Sequence, residues 1–501
     1  MIVRSLLLFI LLTFSVFCSD YKAVYNSLDP TSIIQHLTFY ELYPETIEGK
    51  EALKKAWYLL SSSAQTTHLT LPSFDVQFMI KMVNGQPYET FPTIKDEELQ
   101  LIEKLSQNLT NRKLKGHGLW NEKQIIALPH EEIDLARALF VAEPKDKEKI
   151  RFYEAILDLM ALQIKARLRI DATPLDKIFA INNFIFYEME FRFPPHSIYA
   201  KNIDTFTFLP SVLDSRRGVC LGVSTLYLCL AQRLDLNLEI VTPPGHIYLR
   251  YNDHGNITNI ETTARGINMD TENYLGVDTR KSELRNIKEV VGMAFMNQAS
   301  AYWSGKQDYK MAVTLYKKAL NYVPDDFLLK EFLAYNLLFI GNRKEAKTLL
   351  LQVKDHLADY AVCKDTIAED FLNNFTDIEG LKAIFLSVDE TRESILQKQT
   401  LLQKVIKKHP KFRGGLLQLA GTHMQLGRLK EALEILKKYD AIDNSDATVN
   451  YYLSAICLER FNYPEAWRYL KHAEEITKAR DYMPKALKSL RETLKATCPN
   501  Y

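Results

Sequence analysis

A repeat spacing in the C-terminal part of this chain constrains its fold more than any other feature. Ala312 and Ala346 lie 34 residues apart, as do Ala432 and Ala466, and Gly341 and Gly427 each stand five residues before their alanine. A fixed period of this length marks stacked helix pairs, because one pair cannot bury its own apolar face and must lean on the next. Alanine recurs where two helices cross closely, and a proline such as Pro324 stops the second helix. The spacing predicts units starting near Met293, Phe327, Arg413 and Ala447. A degenerate fifth would end at Pro410, in step with the later pair because Lys398 is 34 residues before Ala432. An unrelated helical bundle is the competing expectation. Either way residues 291–480 are expected to be helical, with 481–501 as a tail.

Within the first unit Trp303, Tyr309, Ala312, Tyr316, Ala319 and Pro324 occupy the large, small and helix-ending places of a motif that resembles the tetratricopeptide repeat. Such arrays usually present a concave face to a peptide. The resemblance therefore implies a protein or peptide ligand in the repeat groove, whether or not the rest of the chain is an enzyme.

A length of 501 residues predicts two or three domains. Hydrophobic residues at 47% and charged residues at 25% exclude a disordered, collagen-like or polytopic membrane chain. A formal charge of +1 suggests neither a nucleic-acid nor an acidic-surface partner. Tyr and Phe far outnumber Gly and Pro, which favours packed helical layers.

Arg4 is followed by an apolar run from Leu6 to Phe17, interrupted only by Thr13 and Ser15. The run is shorter than the roughly 20 residues that span a bilayer, so it reads as a signal peptide, residues 1–18, cut before Ser19. The expected destination is periplasmic or extracellular, with no transmembrane span left after cleavage. A lipid anchor on Cys18 is the lesser alternative, because Phe17 is bulky where lipoprotein signals want a small residue. Cleavage would leave Cys220, Cys229, Cys363, Cys457 and Cys498, an odd number with no CxxC spacing. No disulfide framework or zinc module is expected, and at least one thiol must stay free. Asn108, Asn256 and Asn374 open glycosylation acceptor tripeptides, which matter only in a eukaryotic secretory path.

Residues 19–130 read as helical but irregular, punctuated by Pro30, Pro44, Pro72, Pro87 and Pro92, and carry no recognisable chemistry. From Ile133 to Phe193 apolar residues recur at helical spacing, interrupted by Pro144 and Pro174, which predicts three helices on one core.

The densest chemical signal begins at Arg216-Arg217-Gly218-Val219-Cys220. No charged residue follows Gly218 until Arg233, which predicts a helix buried nearly all round, with Val223, Leu226, Leu230 and Leu234 on one stripe. Cys220 falls in its first turn, where free N–H groups, the helix dipole and the two arginines favour a thiolate. Cys229, half a turn round, reads as a small core residue. A buried, inert thiol is an equally open reading of Cys220 taken alone.

The next segment shifts that balance. Pro243 to Tyr251 ends in an alternating apolar pattern, then comes Asn252-Asp253-His254-Gly255-Asn256, then Ile257 to Glu261, which reads as a β-hairpin. With His254-Gly255 as the two-residue turn, Glu261 faces Tyr248 and is the diagonal neighbour of His246 on the same side of the sheet. Such a diagonal is about 7–8 Å between backbones, within reach of long side chains. A slip of one residue would send Glu261 to the other face. A thiol at a helix start, an imidazole on a strand and a carboxylate on the next strand form the nucleophile, base and orienter of cysteine acyl transfer.

Cys220, His246 and Glu261, in that order, resemble the transglutaminase-like core, a papain-related α+β fold. The words Arg216 to Ser224, Leu230-Ala231-Gln232-Arg233-Leu234 and Pro244 to Arg250 resemble more narrowly the SirB family, which joins that core to tetratricopeptide repeats. The likeness runs from Ile133-Asp134-Leu135-Ala136-Arg137 to about residue 290 and continues loosely through the repeats. It implies a papain-like/transglutaminase-like core over residues 131–290 and a C-terminal α-solenoid; with the helical N-terminal region 19–130, which the likeness does not cover, the expected class is α+β. This sequence departs from the family in having Glu261 where Asp is general and Phe206 where an Asn precedes the Thr207 to Leu213 segment. Many members carry Pro where this chain has Cys220.

The implied function is a thiol-dependent amide-bond enzyme of peptidase, amidase or transglutaminase type, with Cys220, His246 and Glu261 as catalytic residues and the repeats recruiting a protein partner or substrate. The alternative is a non-catalytic interaction scaffold with a degenerate transglutaminase-like fold. No metal or organic cofactor is expected, since HExxH and phosphate-loop motifs are missing from the sequence. His130 reads as a helix-start residue, His196 as a loop residue and His254 as a turn residue.

Overall fold

A computed structural model of the chain describes residues 21–61, 94–143, 146–194, 206–389 and 391–498. The expected signal segment 1–18, Pro72, Pro87, Pro92, Pro144 and His196 lie outside the described residues. Packing divides the chain into two units that cut through the 131–290 segment: 1–192 with 209–217 and 225–238, and 193–208 with 218–224 and 239–501.

The first unit holds helices α1 (Ile33–Leu42), α2 (Ile47–Ser61), α3 (Asp96–Leu105), α4 (Leu135–Ala142), α5 (Lys147–Arg167), α6 (Pro174–Asn182) and α7 (Leu209–Ser215). It also takes the later part of α8, which spans Cys220–Arg233. The three helices expected between Ile133 and Phe193 are α4, α5 and α6. Each starts on a side-chain cap: Asp134 accepts from Arg137 N–H, Asp146 from Lys149 N–H, and Thr173 from Asp176 N–H, with Pro174 at the first helical position.

Two sequence words carry the polar frame of this unit. Gln232 accepts from Leu135 N–H at 3.0 Å and donates to Ile133 C=O at 2.9 Å. Arg233, fully buried, donates to Asp158 at 2.8 Å, and Asp158 also takes Arg112. Arg137 grips Glu154 through two bonds of 2.7 Å. Burying these charges is tolerable only because each is paired.

The second unit takes in the first turn of α8 and four antiparallel strands: β1 (Glu239–Thr242), β2 (Tyr248–Asp253), β3 (Asn256–Ile260) and β4 (Glu283–Arg285), in the order β3-β2-β1-β4. The β2–β3 pairing sets Leu249 opposite Ile260 and Asp253 opposite Asn256, so the two-residue turn is His254-Gly255, both with positive φ. This is the register expected from the sequence.

The rest of the unit is helical: α9 (Ile287–Ser304), α10 (Tyr309–Ala319), α11 (Phe327–Phe339), α12 (Arg343–Val353), α13 (Ile367–Leu372), α14 (Ile378–Ile384), α15 (Arg392–Lys408), α16 (Arg413–Gln425), α17 (Leu429–Asp440), α18 (Ala447–Glu459), α19 (Tyr463–Lys478) and α20 (Lys485–Thr497). Four pairs, α9/α10, α11/α12, α16/α17 and α18/α19, match the expected units. Ala312, Ala346, Ala432 and Ala466 are all fully buried in them. The first pair starts at Ile287, earlier than the expected Met293, because Asn286 caps the helix there in a capping box with Glu289. In the degenerate fifth unit Lys398 stands buried on the long α15. Most of the 481–501 tail is α20, whose Leu487, Leu490 and Leu494 close the core of the last repeats.

Candidate active site

Gly218 determines how the cysteine helix can begin. A Cβ there would lie 2.5 Å from Val223 Cγ2 and 3.0 Å from Val223 N, so only glycine lets the chain fold over the first turn. The helical ladder opens with Val223 N–H donating to Val219 C=O, which leaves the N–H groups of Cys220, Leu221 and Gly222 ahead of it. Cys220 is the first residue of α8 and half-buried. Cys229 lies fully buried, and burial pushes its thiol far up, as expected of an inert core residue. All five described cysteines are free.

His246 is delivered by a tight turn. His246 N–H donates to Pro243 C=O at 3.1 Å, with Pro244 at the second position and Gly245 at the third with φ +74°. That is the proline-then-glycine arrangement such a turn demands. His246 therefore precedes β2 rather than sitting on the strand, because the turn ends at that residue. Glu261 likewise lies just past β3, bridged to Ile267 and capping the short 3-10 turn Thr262–Ala264. The expected pairing survives both corrections.

The three side chains come together. His246 Nε2 donates to Glu261 Oε2 at 2.8 Å, and Cys220 lies near enough to the His246 ring to act on its charge. With Nε2 committed to the carboxylate, Nδ1 is the nitrogen left for sulfur. Burial of His246 disfavours its charge, but Cys220 and Glu261 outweigh burial and raise the imidazole to about 9. Burial likewise acts to raise Glu261. Its bonds from His246, Thr263 and Tyr274 prevail and hold the carboxylate down at about 2. The His246 side chain keeps 24% of its surface exposed and Glu261 only 3%, so the imidazole faces solvent and the carboxylate backs it.

Three supporting residues, Tyr274, Thr263 and Ser224, went unread in the sequence. Tyr274, from the 3-10 turn Thr271–Tyr274, donates its O–H to Glu261 Oε2. Its ring lies nearly parallel to those of His246 (centroids 5.3 Å, 17°) and Tyr248 (4.6 Å, 15°). Thr263 gives Glu261 Oε1 its N–H at 2.9 Å and its hydroxyl. Ser224, one turn beyond Cys220, shares a 2.9 Å hydrogen bond with Thr262, pinning the cysteine helix to the loop that carries Glu261. Tyr274 is 13 residues from Glu261 in an irregular stretch, where no periodicity announces it.

Of the remaining histidines, His130 lies in a short 3-10 turn beside Glu131, and His254 is a hairpin turn residue. Phe206 is buried, and its C=O accepts from Val219 N–H at 3.2 Å, so the position without a polar side chain still anchors the cysteine helix through its backbone. Among the described residues no helix is long and apolar enough to cross a membrane, and no cluster of three or more His, Cys, Asp or Glu is arranged to hold a metal ion.

Residues 151–275 match the model of the Transglutaminase-like superfamily, and residues 399–456 match that of the Tetratricopeptide repeat. The first match holds all three site residues and Tyr274. The chain thus joins a transglutaminase-like domain to tetratricopeptide-type helical repeats in an α+β architecture. No curated protein is significantly similar to the chain. Solved structures overlap the chain in part. The crystal structure of MamA protein is 16% identical over 38% of this chain and 93% of its own, with a TM-score of 0.21. A thermophilic TPR protein in Thermus thermophilus is 19% identical over 41% of this chain and 97% of its own, with a TM-score of 0.20.

Proposed function

We propose that this protein is an exported thiol-dependent amide-bond enzyme of the SirB type, with Cys220 as nucleophile, His246 as proton carrier and Glu261 as orienter. The observation that carries the reading is the 2.8 Å His246–Glu261 bond on a ring whose charge Cys220 also favours. His246 takes the Cys220 thiol proton as the sulfur attacks the amide carbonyl carbon, while the N–H groups ahead of the α8 ladder meet the developing oxyanion. As the C–N bond breaks, His246 gives its proton to the leaving amine and a thioester remains on Cys220. Water attacking the thioester completes a peptidase or amidase reaction, and an amine completes a transglutaminase reaction. In both, His246 takes the proton of the attacking group. The N-terminal apolar run supports export, and the tetratricopeptide repeats support recruitment of a protein or peptide partner.

The test is amine incorporation and ammonia release on glutamine-containing protein and peptide substrates, with Cys220→Ala as control. Product that disappears in Cys220→Ala, with unfolding unchanged, supports the reading. Turnover equal in both proteins, or none in either together with an unreactive Cys220, overturns it and favours the scaffold.

A further inference from the structure

Between Tyr274 and β4 the chain does not return directly to the sheet. Residues 276–281 run out along the repeats as a strap. Arg280 N–H donates to Tyr360 C=O at 2.8 Å and Val362 N–H to Asp278 C=O at 2.7 Å, pairing the strap with the loop after α12 through an antiparallel bridge between Thr279 and Ala361. Arg280 also donates to Asp359 C=O at 2.7 Å and to Arg480 C=O at 3.3 Å. Tyr482, in the turn after α19, donates its hydroxyl to Gly276 C=O at 3.0 Å. Val277 is buried in one apolar cluster with Val362 and Ala447, against which Tyr451 and Tyr482 pack. Ala447 and Tyr451 are one turn apart on the first helix of the last repeat pair, so that helix face is covered by the chain's own segment.

We propose that the repeats act in cis on the site, holding Gly276–Lys281 so that Tyr274, two residues upstream, is set against Glu261 and His246. The inference deepens the enzymatic reading and rests on it for its catalytic meaning. Tyr274 has three fixed neighbours on the site side, the Glu261 carboxylate and the His246 and Tyr248 rings. Its short 3-10 turn is tied to the sheet at its first residue, Thr271, by Arg250 at 3.0 Å, which leaves the chain after Tyr274 to be held from elsewhere. What fixes the chain beyond it is the Tyr482 bond at Gly276 and the bridge at Thr279. A partner taking the Ala447–Tyr451 face would have to displace Val277 and with it the tether on Tyr274. Repeat occupancy and the state of the Cys220–His246 pair are thereby linked. Tyr482 and Arg280 are positioning residues, acting through Tyr274 and never meeting substrate.

The test uses the full chain and two variants, Tyr482→Phe with Arg280→Ala as the mild pair and Val277→Asp as the stronger one. Three readings are taken: hydrogen exchange over residues 270–285 and 358–363, the His246 titration by NMR, and the pH profile of Cys220 alkylation. The expected result is faster exchange in both segments, a His246 titration moved to lower pH, and Cys220 labelling at neutral pH slowed about threefold or more, the worth of one lost hydrogen bond. Faster exchange with an unmoved His246 titration overturns the proposal, and so does unchanged exchange in both variants. If Cys220 proves inert in the parent protein, the enzymatic reading fails, and exchange with the His246 titration still decides whether the repeats hold the site.

Discussion

His246 and Glu261 share a 2.8 Å hydrogen bond although neither lies within a strand: each flanks the β2–β3 hairpin, whose register brings them to the same side. Glu261→Gln keeps the shape of the carboxylate and removes its charge. The His246 titration is expected to fall from about 9 toward the ordinary histidine range, and amide turnover to drop about a hundredfold or more, the scale of lost acid–base assistance. NMR titration and steady-state kinetics check the two effects.

Tyr274→Phe removes one hydrogen bond to the Glu261 carboxylate while keeping the ring stacked on those of His246 and Tyr248. A hydrogen bond to a charged group contributes about 1.5–3 kcal/mol, so turnover is expected to fall about tenfold or more with little change in substrate KM. Turnover equal to the parent would show that Thr263 and His246 hold Glu261 without it.

The pH dependence of stability follows from the same pair. The His246 value is raised, so its contribution is full below about 6.5 and is lost as pH rises through about 9. The Glu261 value is lowered, so its contribution is present above 4.5 and is lost as pH falls toward about 2. The stability difference between the parent and His246→Ala is therefore expected to be largest between pH 4.5 and about 6.5, and to shrink on either side. Urea unfolding at a series of pH values measures it.

Asp158→Ala leaves the fully buried Arg233 without its carboxylate. Stranding a buried charge costs about 3–5 kcal/mol, enough to remove a large share of the stability of an ordinary domain. Thermal unfolding should show a large drop in Tm.

How much was legible depended on whether a local rule was at work. The four helix pairs were readable because small residues recur at a fixed spacing, and the hairpin register because a two-residue turn leaves one way to pair the strands. Cys220 was readable as a helix start because a charge-free run begins beside it. Tyr274, Ser224 and the strap at Gly276–Lys281 were not readable, since each acts through a tertiary contact from an irregular segment or a position that looks like ordinary core. The division of the chain into packing units was hidden for a related reason: α8 belongs to one unit at its first turn and to the other beyond it, and no composition change marks the switch.

The most direct test of an activated Cys220–His246 pair is the pH dependence of iodoacetamide alkylation, mapped by mass spectrometry, on the parent protein and on His246→Ala. Rapid labelling of Cys220 near pH 6, well ahead of Cys498, is expected in the parent, with loss of that labelling in the variant. Labelling of Cys220 no faster than Cys498, or unchanged by His246→Ala, would contradict the pair.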